Sequence, residues 1–462
     1  MKKKLWGGRF RKKTDPRVEE FSSSLVCDKR LFRQDIRAGI AHAEALRRAG
    51  CLTGAERKRI VRSLREIENE IGNGKIPLSG HEDIHSLIID RLIRKVGPLG
   101  KKIHAGRSRN DLVLCDLRLY LKEKLEEIAS AVRDLQAALV NKAAAEGELI
   151  MPGYTHLQHA QPVLFAHHLL AYVEMLERDR GRLADAKTRL DLLPLGSAAL
   201  AGTSLKLDQD LLARLLGFSA VAANSLDAVS DRDFAAEVLS GLAILGMHLS
   251  RLAEEIVLWS ASEFGFVRLD ESFCTGSSFL PQKMNPDPAE LIRGKTGRLY
   301  GNLMTLLTVL KGLPLSYNRD LQEDKEPLFD SLDTALSELT VMAPLVATLA
   351  VDRKALERAL EKDFSFAADL AEFLVKKGIP FGEAHRLVGE LVARCLGRGA
   401  LPSGVTLRDL RAISPAFDAS ALQLFRAESS VRAKATRGST SPAMVGRELR
   451  KWKKKLKISQ KA

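Results

Sequence analysis

Apolar residues recur through the middle of this chain at spacings of three and four, the repeat of one face of an α-helix. Between Asp111 and Glu146 there is neither Gly nor Pro, and Leu117, Leu121, Leu125, Ile128, Val132, Leu135 and Leu139 form one stripe. Unbroken, a helix of that length spans about 50 Å. The pattern predicts a second helix over 164–193, after Gln161-Pro162. A third is expected over 231–263, with Phe234, Val238, Leu242, Leu245, Leu249 and Leu252 on its buried side. A fourth runs to Leu310, with Asp287 as N-cap, Pro288 at the first helical position, Glu290 at the third, and Gly312 and Pro314 as stop signals. A fifth covers 325–351, with Pro327 near its start and a kink expected at Pro344.

Helices this long make a bundle. Two runs, LTVLKGLPL (307–315) and VLSGLAILGMHL (238–249), are apolar on more than one face. One bundle cannot hide all of that surface, so helices of neighbouring subunits are expected to complete the core. Shorter helices separated by polar loops flank the bundle on both sides. No Rossmann or P-loop glycine pattern occurs, no repeat of 20–50 residues, and little strand signal.

Composition narrows the class. At 462 residues the chain exceeds one compact core, so two or three domains are expected. With 45% hydrophobic and 28% charged residues it reads as an ordinary globular protein, and no apolar run is long enough for a membrane span. MKKKLWGGRFRKK has the charges of a signal peptide but no apolar segment after them. Five scattered cysteines without CxxC spacing indicate neither a disulfide framework nor a zinc site, so a reducing, cytoplasmic compartment is expected. The net charge of +14 raises the question of nucleic acid. Yet residues 1–13 and 432–462 hold 18 of the 72 bases and one of the 58 acids, so the body between them has three more acids than bases. The charge belongs to two basic ends, read as solvated tails, and no nucleic-acid motif accompanies it.

Polar residues gather at the ends of the long helices. KKIHAGRSRND (101–111) places Arg107, Ser108, Arg109, Asn110 and Asp111 just before the longest one, either as a carboxylate or phosphate site or as a capped helix with solvated arginines. MPGYTHLQHAQP (151–162) reads as a polar loop carrying Thr155, His156 and His159, and NSLDAVSDRD (224–233) carries Asp231 and Arg232. TGSSFLPQKMNPDPAE (275–290) offers Ser277, Lys283, Asn285 and Glu290, and SYNRDLQEDKE (316–326) offers Tyr317, Gln322 and Lys325. Each loop alone is explained by capping and turns. Five sharing one bundle read either as one composite site or as the polar turns that any helix bundle needs.

These residues carry a resemblance. GSSFLPQKMNPD resembles the serine-loop signature of the fumarase/aspartase superfamily, and LWGGRF, HAGRSRND, GYTHLQHAQP, SDRDF, YNRDLQEDKE and GSTSP are similar to the motifs of its argininosuccinate lyase branch, in order, from residue 5 to about 445. Some positions depart from the pattern. Phe279 and Leu280 stand where leucine or isoleucine followed by methionine is usual, and Met284 where a second lysine is common. Leu112, His159 and Ala198 replace a frequent glutamine, arginine and glycine.

The resemblance implies an all-α fold: a central long-helix bundle (111–360), an N-terminal helical domain (1–110) and a small C-terminal helical domain with a basic tail (361–462). It further implies assembly as a homotetramer around a shared helix-bundle core, with active sites shared between subunits. It implies reversible cleavage of argininosuccinate into arginine and fumarate, in arginine biosynthesis, with no metal or organic cofactor; the composition adds no expectation of a membrane or nucleic-acid partner. Ser277 corresponds to the family's base. Lys283 and Asn285 would hold the developing dianion, and His156, paired with Glu290, would deliver the proton. Ser24, Asp28, Tyr317, Gln322 and Lys325 would hold the arginine half of the substrate; Arg107, Ser108, Asn110, Thr155 and Asn285 would hold the succinate half. Arg109, His85, Arg232 and Asp231 are secondary candidates. A lyase of the same superfamily acting on adenylosuccinate, aspartate or malate is the nearest rival, and a non-catalytic lens crystallin is a rival of another class.

Overall fold

The computed structural model describes residues 12–361 and 364–458, so LWGGRF lies outside the described residues. The fold is all-α, and five long helices dominate it: α1 (Arg109–Glu146), α2 (Phe165–Leu190), α3 (Asp233–Ser260), α4 (Asp287–Leu310) and α5 (Lys325–Thr348). They match the five expected from periodicity to within a few residues. The helix α5 runs on through Pro344. At the start of α4 the sequence reading needs correcting. Asp287 already belongs to the helix, and its carboxylate receives the Thr275 hydroxyl rather than capping main-chain N–H groups.

By packing, the chain divides into two compact units, and each long helix contributes to both. The first comprises Met1–Ala129, Arg180–Ile244 and Gly297–Leu336. Its helices Phe32–Arg48, Gly54–Gly72 and Ile84–Val96 bury Ile36, Leu46, Ile60, Leu64, Ile67, Leu87 and Leu92 against one another. Each such side chain contributes roughly 1.5–3 kcal/mol of burial. Gly54–Gly72 starts where Thr53 and Glu56 form a reciprocal capping box. A second cluster joins Leu112, Cys115 and Leu119 of α1 to Leu193, Leu195, Leu212 and Phe218.

The second unit comprises Ser130–Asp179, Leu245–Thr296 and Ser337–Ala462. Helices Ala367–Lys376 and Phe381–Gly397 close a core of Leu370, Leu374, Val388, Leu391, Cys395, Leu410 and Phe417. The basic tail expected at the C-terminus is instead a docked helix, Pro442–Leu456. Trp452 is buried there and its Nε1 donates to Glu174 of α2 at 3.0 Å, while Lys455 pairs with Glu177 at 2.9 Å.

The two apolar runs behave differently. Val238, Leu239, Leu242, Leu245 and Leu249 of α3 are buried within the chain. On α4, Tyr300, Met304 and Leu307, spaced four and three apart on one face, are 48%, 62% and 44% exposed, and Leu315 beyond them is 73% exposed.

Extended structure among the described residues is limited to two-stranded pairs. The longest overturns the reading of MPGYTHLQHAQP as a loop. Ile150–Thr155 (β1) pairs antiparallel with Gln158–Leu164 (β2), the register slipping between Pro152 and Tyr154. At that bulge a Cβ on Gly153 would come within 2.7 Å of the Gln161 carbonyl, so only glycine lets the strands close.

Candidate active site

In the first unit the candidate binding residues form a connected polar cluster. Asp28 is buried at the end of a short helix, Leu25–Asp28, and its carboxylate accepts the Ser24 hydroxyl at 2.6 Å and the Ile84 N–H at 3.0 Å. Burial pushes its carboxyl up to about 7, against the pull of the Ser24 hydroxyl and the nearby Lys325 ammonium. Such a carboxyl is half-protonated near neutrality and gives up its proton when a cation arrives.

Lys325 is itself buried and donates to Asp324 at 2.6 Å; Arg232, also buried, donates through Nε to the other oxygen of the same carboxylate. Burial pushes Asp324 up, but the two cations outweigh it and hold the carboxyl below its usual range. Asp231 receives Arg118 and caps the Asp233 N–H at 2.8 Å. Gln322 donates to the Ser22 carbonyl at 3.3 Å, and Arg319 donates to the same carbonyl at 2.6 Å. Tyr317 is half-buried, and burial raises its phenol. Arg109 pairs with Glu82 at 3.3 Å and Asp83 at 3.2 Å.

Arg107 sits at the foot of α1. It is buried, and its Nε and Nη1 have no hydrogen-bond partner among the described residues. Unpaired guanidinium N–H groups in a buried position suit an anion. Ser108 and Asn110 stand beside it. Asp111, its carboxyl raised to about 6 by burial, accepts the N–H groups of Ser108, Gly196 and Ala198 and so ties the foot of α1 to the 196–198 turn. The Asn110 amide donates to the Ala199 carbonyl at 3.0 Å. Ala198, in a position where glycine is frequent, is held at φ +49°. His85 is buried against Asp35 at 2.9 Å, with the His104 ring edge-on at 5.1 Å.

The second unit carries the remaining candidates. Thr155 and Gln158 face each other across the β1–β2 ribbon, which leaves His156 and Leu157 as a two-residue turn at φ +55° and +56°. The tip is exposed, and among the described residues His156 makes no hydrogen bond. Thr275–Gly276 pairs with Met284–Asn285, closing a loop whose first residue is Ser277 and whose last is Lys283. The pairing brings Ser277 and Lys283, six apart in sequence, to the two sides of one loop base. The Ser277 Oγ accepts two main-chain N–H groups, from Phe279 at 3.3 Å and Leu280 at 3.0 Å. Donors aimed at that oxygen favour its deprotonated form. Phe279, Leu280 and Met284 are exposed, and nothing in the structure explains their departure from the expected pattern. Glu290 lies 4.0 Å from Arg293, and no hydrogen bond joins it to His156 among the described residues.

Comparison with known proteins gives this arrangement its family. The lyase family matches residues 8–301, and the argininosuccinate lyase C-terminal family matches residues 364–432. The argininosuccinate lyase of Symbiobacterium thermophilum is 53% identical over 447 residues, 96% of this chain and 97% of that protein. That of Moorella thermoacetica is 51% identical over 447 residues, 96% of each. The chain belongs to the argininosuccinate lyase family. Among solved structures, an EDDS lyase in complex with formate superposes with a TM-score of 0.85 at 29% identity, covering 96% of this chain and 91% of that one. A class II fumarase from Schistosoma mansoni, at 16% identity and a TM-score of 0.75 over 87% of this chain and 91% of that one, shares the fold.

The fold brings Ser24, Asp28, Tyr317, Gln322, Lys325 and Arg232 into one cluster, and Ser277, Lys283 and Asn285 around one loop base. Asp324, which joins Arg232 to Lys325, and Glu82 and Asp83, which hold Arg109, are not among the residues the motifs single out. A signal was present in each case. Asp324 precedes Lys325 directly, and GHEDIH (80–85) sets two acids between two histidines.

Proposed function

We propose that this chain cleaves argininosuccinate reversibly to arginine and fumarate, as part of arginine biosynthesis. The observation that carries this reading is that argininosuccinate lyases match nearly the whole chain at about half identity. In the proposed mechanism, Ser277 as alkoxide removes the proton from the carbon next to one carboxylate. The electron pair it leaves spreads into that carboxylate, which approaches two negative charges, and Lys283 and Asn285 hold it. The pair then forms the double bond of fumarate as the C–N bond breaks, and His156, directly or through a water, protonates the departing nitrogen. The two N–H groups on the Ser277 Oγ support its role as base. Arg107, Ser108, Asn110 and Thr155 are assigned to the succinate carboxylates; the unpaired N–H groups of Arg107 support this. Ser24, Asp28, Tyr317, Gln322 and Lys325 are assigned to the arginine half, Asp28 meeting the α-ammonium and Lys325 the α-carboxylate. Arg109, His85, Arg232 and Asp231 hold the site's frame.

The same proposal includes a homotetramer whose active sites draw on several subunits. The uncovered stripe Tyr300, Met304 and Leu307 supports it, as does a His156 without a partner among the described residues. Glu290 is then the partner His156 meets in the assembly. A chain-order division at 1–110, 111–360 and 361–462 is proposed with it, supported by the long helices of the middle segment and by the C-terminal family match beginning at 364. Cytoplasmic residence is also inferred; no helix of the described residues is long and apolar enough to cross a membrane, and the five cysteines are free.

The test is a substrate panel. The purified protein is incubated with argininosuccinate, adenylosuccinate, aspartate and malate while fumarate absorbance is followed. Turnover of argininosuccinate is expected; turnover of adenylosuccinate with none of argininosuccinate overturns the assignment.

A further inference from the structure

The GSTSP run, Gly438–Pro442, has no part in the chemistry above, yet it is built into the second unit. Thr440 is 6% exposed, and its Oγ1 accepts the N–H of Leu164 at 2.7 Å. Leu164 is the last residue of β2, paired with Ile150 at the base of the ribbon whose other end is the His156 turn. A two-stranded ribbon has little stability of its own, and the main-chain groups on its outer edges lack ladder partners. Here the Leu164 N–H meets Thr440 at the junction where β2 becomes α2.

The anchor is itself fixed to α2. Ser439 donates to the Lys434 carbonyl at 3.2 Å, and the helix Pro442–Leu456 that follows is held through Trp452 to Glu174 and through Lys455 to Glu177. The C-terminal helix is therefore held to α2 at Glu174 and Glu177, and just before its start Thr440 meets the end of β2. Helices Arg353–Glu361 and Ala427–Ala433 pack on β1 and β2 respectively. Thr440 and these two helices all lie in the C-terminal hundred or so residues.

We infer that Thr440 is a positioning residue for His156: its hydroxyl fixes the β2–α2 junction and so sets where the ribbon carries the imidazole. This rests on His156 acting as the proton donor. Steady-state kinetics on the full-length enzyme test it. Thr440→Val has the same shape without the acceptor; it is expected to lower kcat roughly tenfold, since small displacements of a reacting group are costly. KM is expected to move less than kcat, because Thr155 is the one assigned binding group that rides on the ribbon. Thr440→Ser keeps the oxygen and restores kcat. In a His156→Ala background, Thr440→Val has no further effect, because the two residues act as one unit.

A wild-type kcat in Thr440→Val overturns the inference. So does the same loss recurring in full on top of His156→Ala. If His156→Ala itself turns over at the wild-type rate, it is the reading of His156 that fails, and the two failures are told apart. Should Thr440→Val not fold, Thr440→Cys, of similar size and with only a weak acceptor at that atom, goes through the same cycle.

Discussion

The two units divide the candidate residues by environment as well as by place. In the first, Asp28, His85, Arg107, Arg232 and Lys325 are buried, and apart from the Arg107 guanidinium the chain supplies their partners. In the second, Thr155, His156, Lys283 and Glu290 are exposed, and Ser277 and Asn285 are half-covered. Groups that bind charge work best when fixed at set distances away from water, and that requires burial with compensating ions. Groups proposed to move protons, and those beside them that meet the reacting carboxylate, need access to a substrate that arrives later. Stability should therefore depend on the first set and turnover on the second.

The largest expected effect tests the second half of that contrast. Ser277→Ala removes the proposed base and should lower kcat by roughly 10³-fold, with oligomeric state and thermal unfolding unchanged. A kinetic assay with a melting curve checks both, and a drop in melting temperature would show Ser277 to be structural as well. Next, Asp324→Asn leaves Arg232 and Lys325 buried without their shared anion. It should cost about 3 kcal/mol, the usual penalty for breaking a buried ion pair from one side. Urea unfolding at fixed protein concentration measures it, and an unchanged midpoint would break the comparison. The smallest change is a gain. Ala198 sits at φ +49°, so Ala198→Gly should stabilise by about 1 kcal/mol by removing left-handed strain, with kcat unaltered.

How much of this was legible in the sequence follows from what each element depends on. The five long helices were, because a stripe such as Leu117–Leu121–Leu125–Ile128 records helix geometry residue by residue. The β1–β2 ribbon was not: Pro152 and Pro162 interrupt it, and its polar tip hides the alternation that marks a strand. The C-terminal helix is hidden because five lysines around one tryptophan resemble a solvated tail, although Val445, Trp452 and Leu456 keep helical spacing. The serine loop was recognisable as a motif, but nothing in it told that Ser277 would receive two N–H groups of its own loop. Asp324 is the clearest case. Its role is to sit between Arg232 and Lys325, and Arg232 lies 92 residues away in the chain.

The turn at His156 and Leu157 has a consequence for how this region can vary. Two residues with positive φ join Thr155 to Gln158, and that length fixes which side chains of β1 and β2 share a face. A single inserted or deleted residue there would shift the phase of the ribbon by one and turn every side chain beyond it to the opposite side. Drift at this site is therefore confined to replacement: the tip can exchange residues that accept a left-handed backbone, but its length is as constrained as its chemistry.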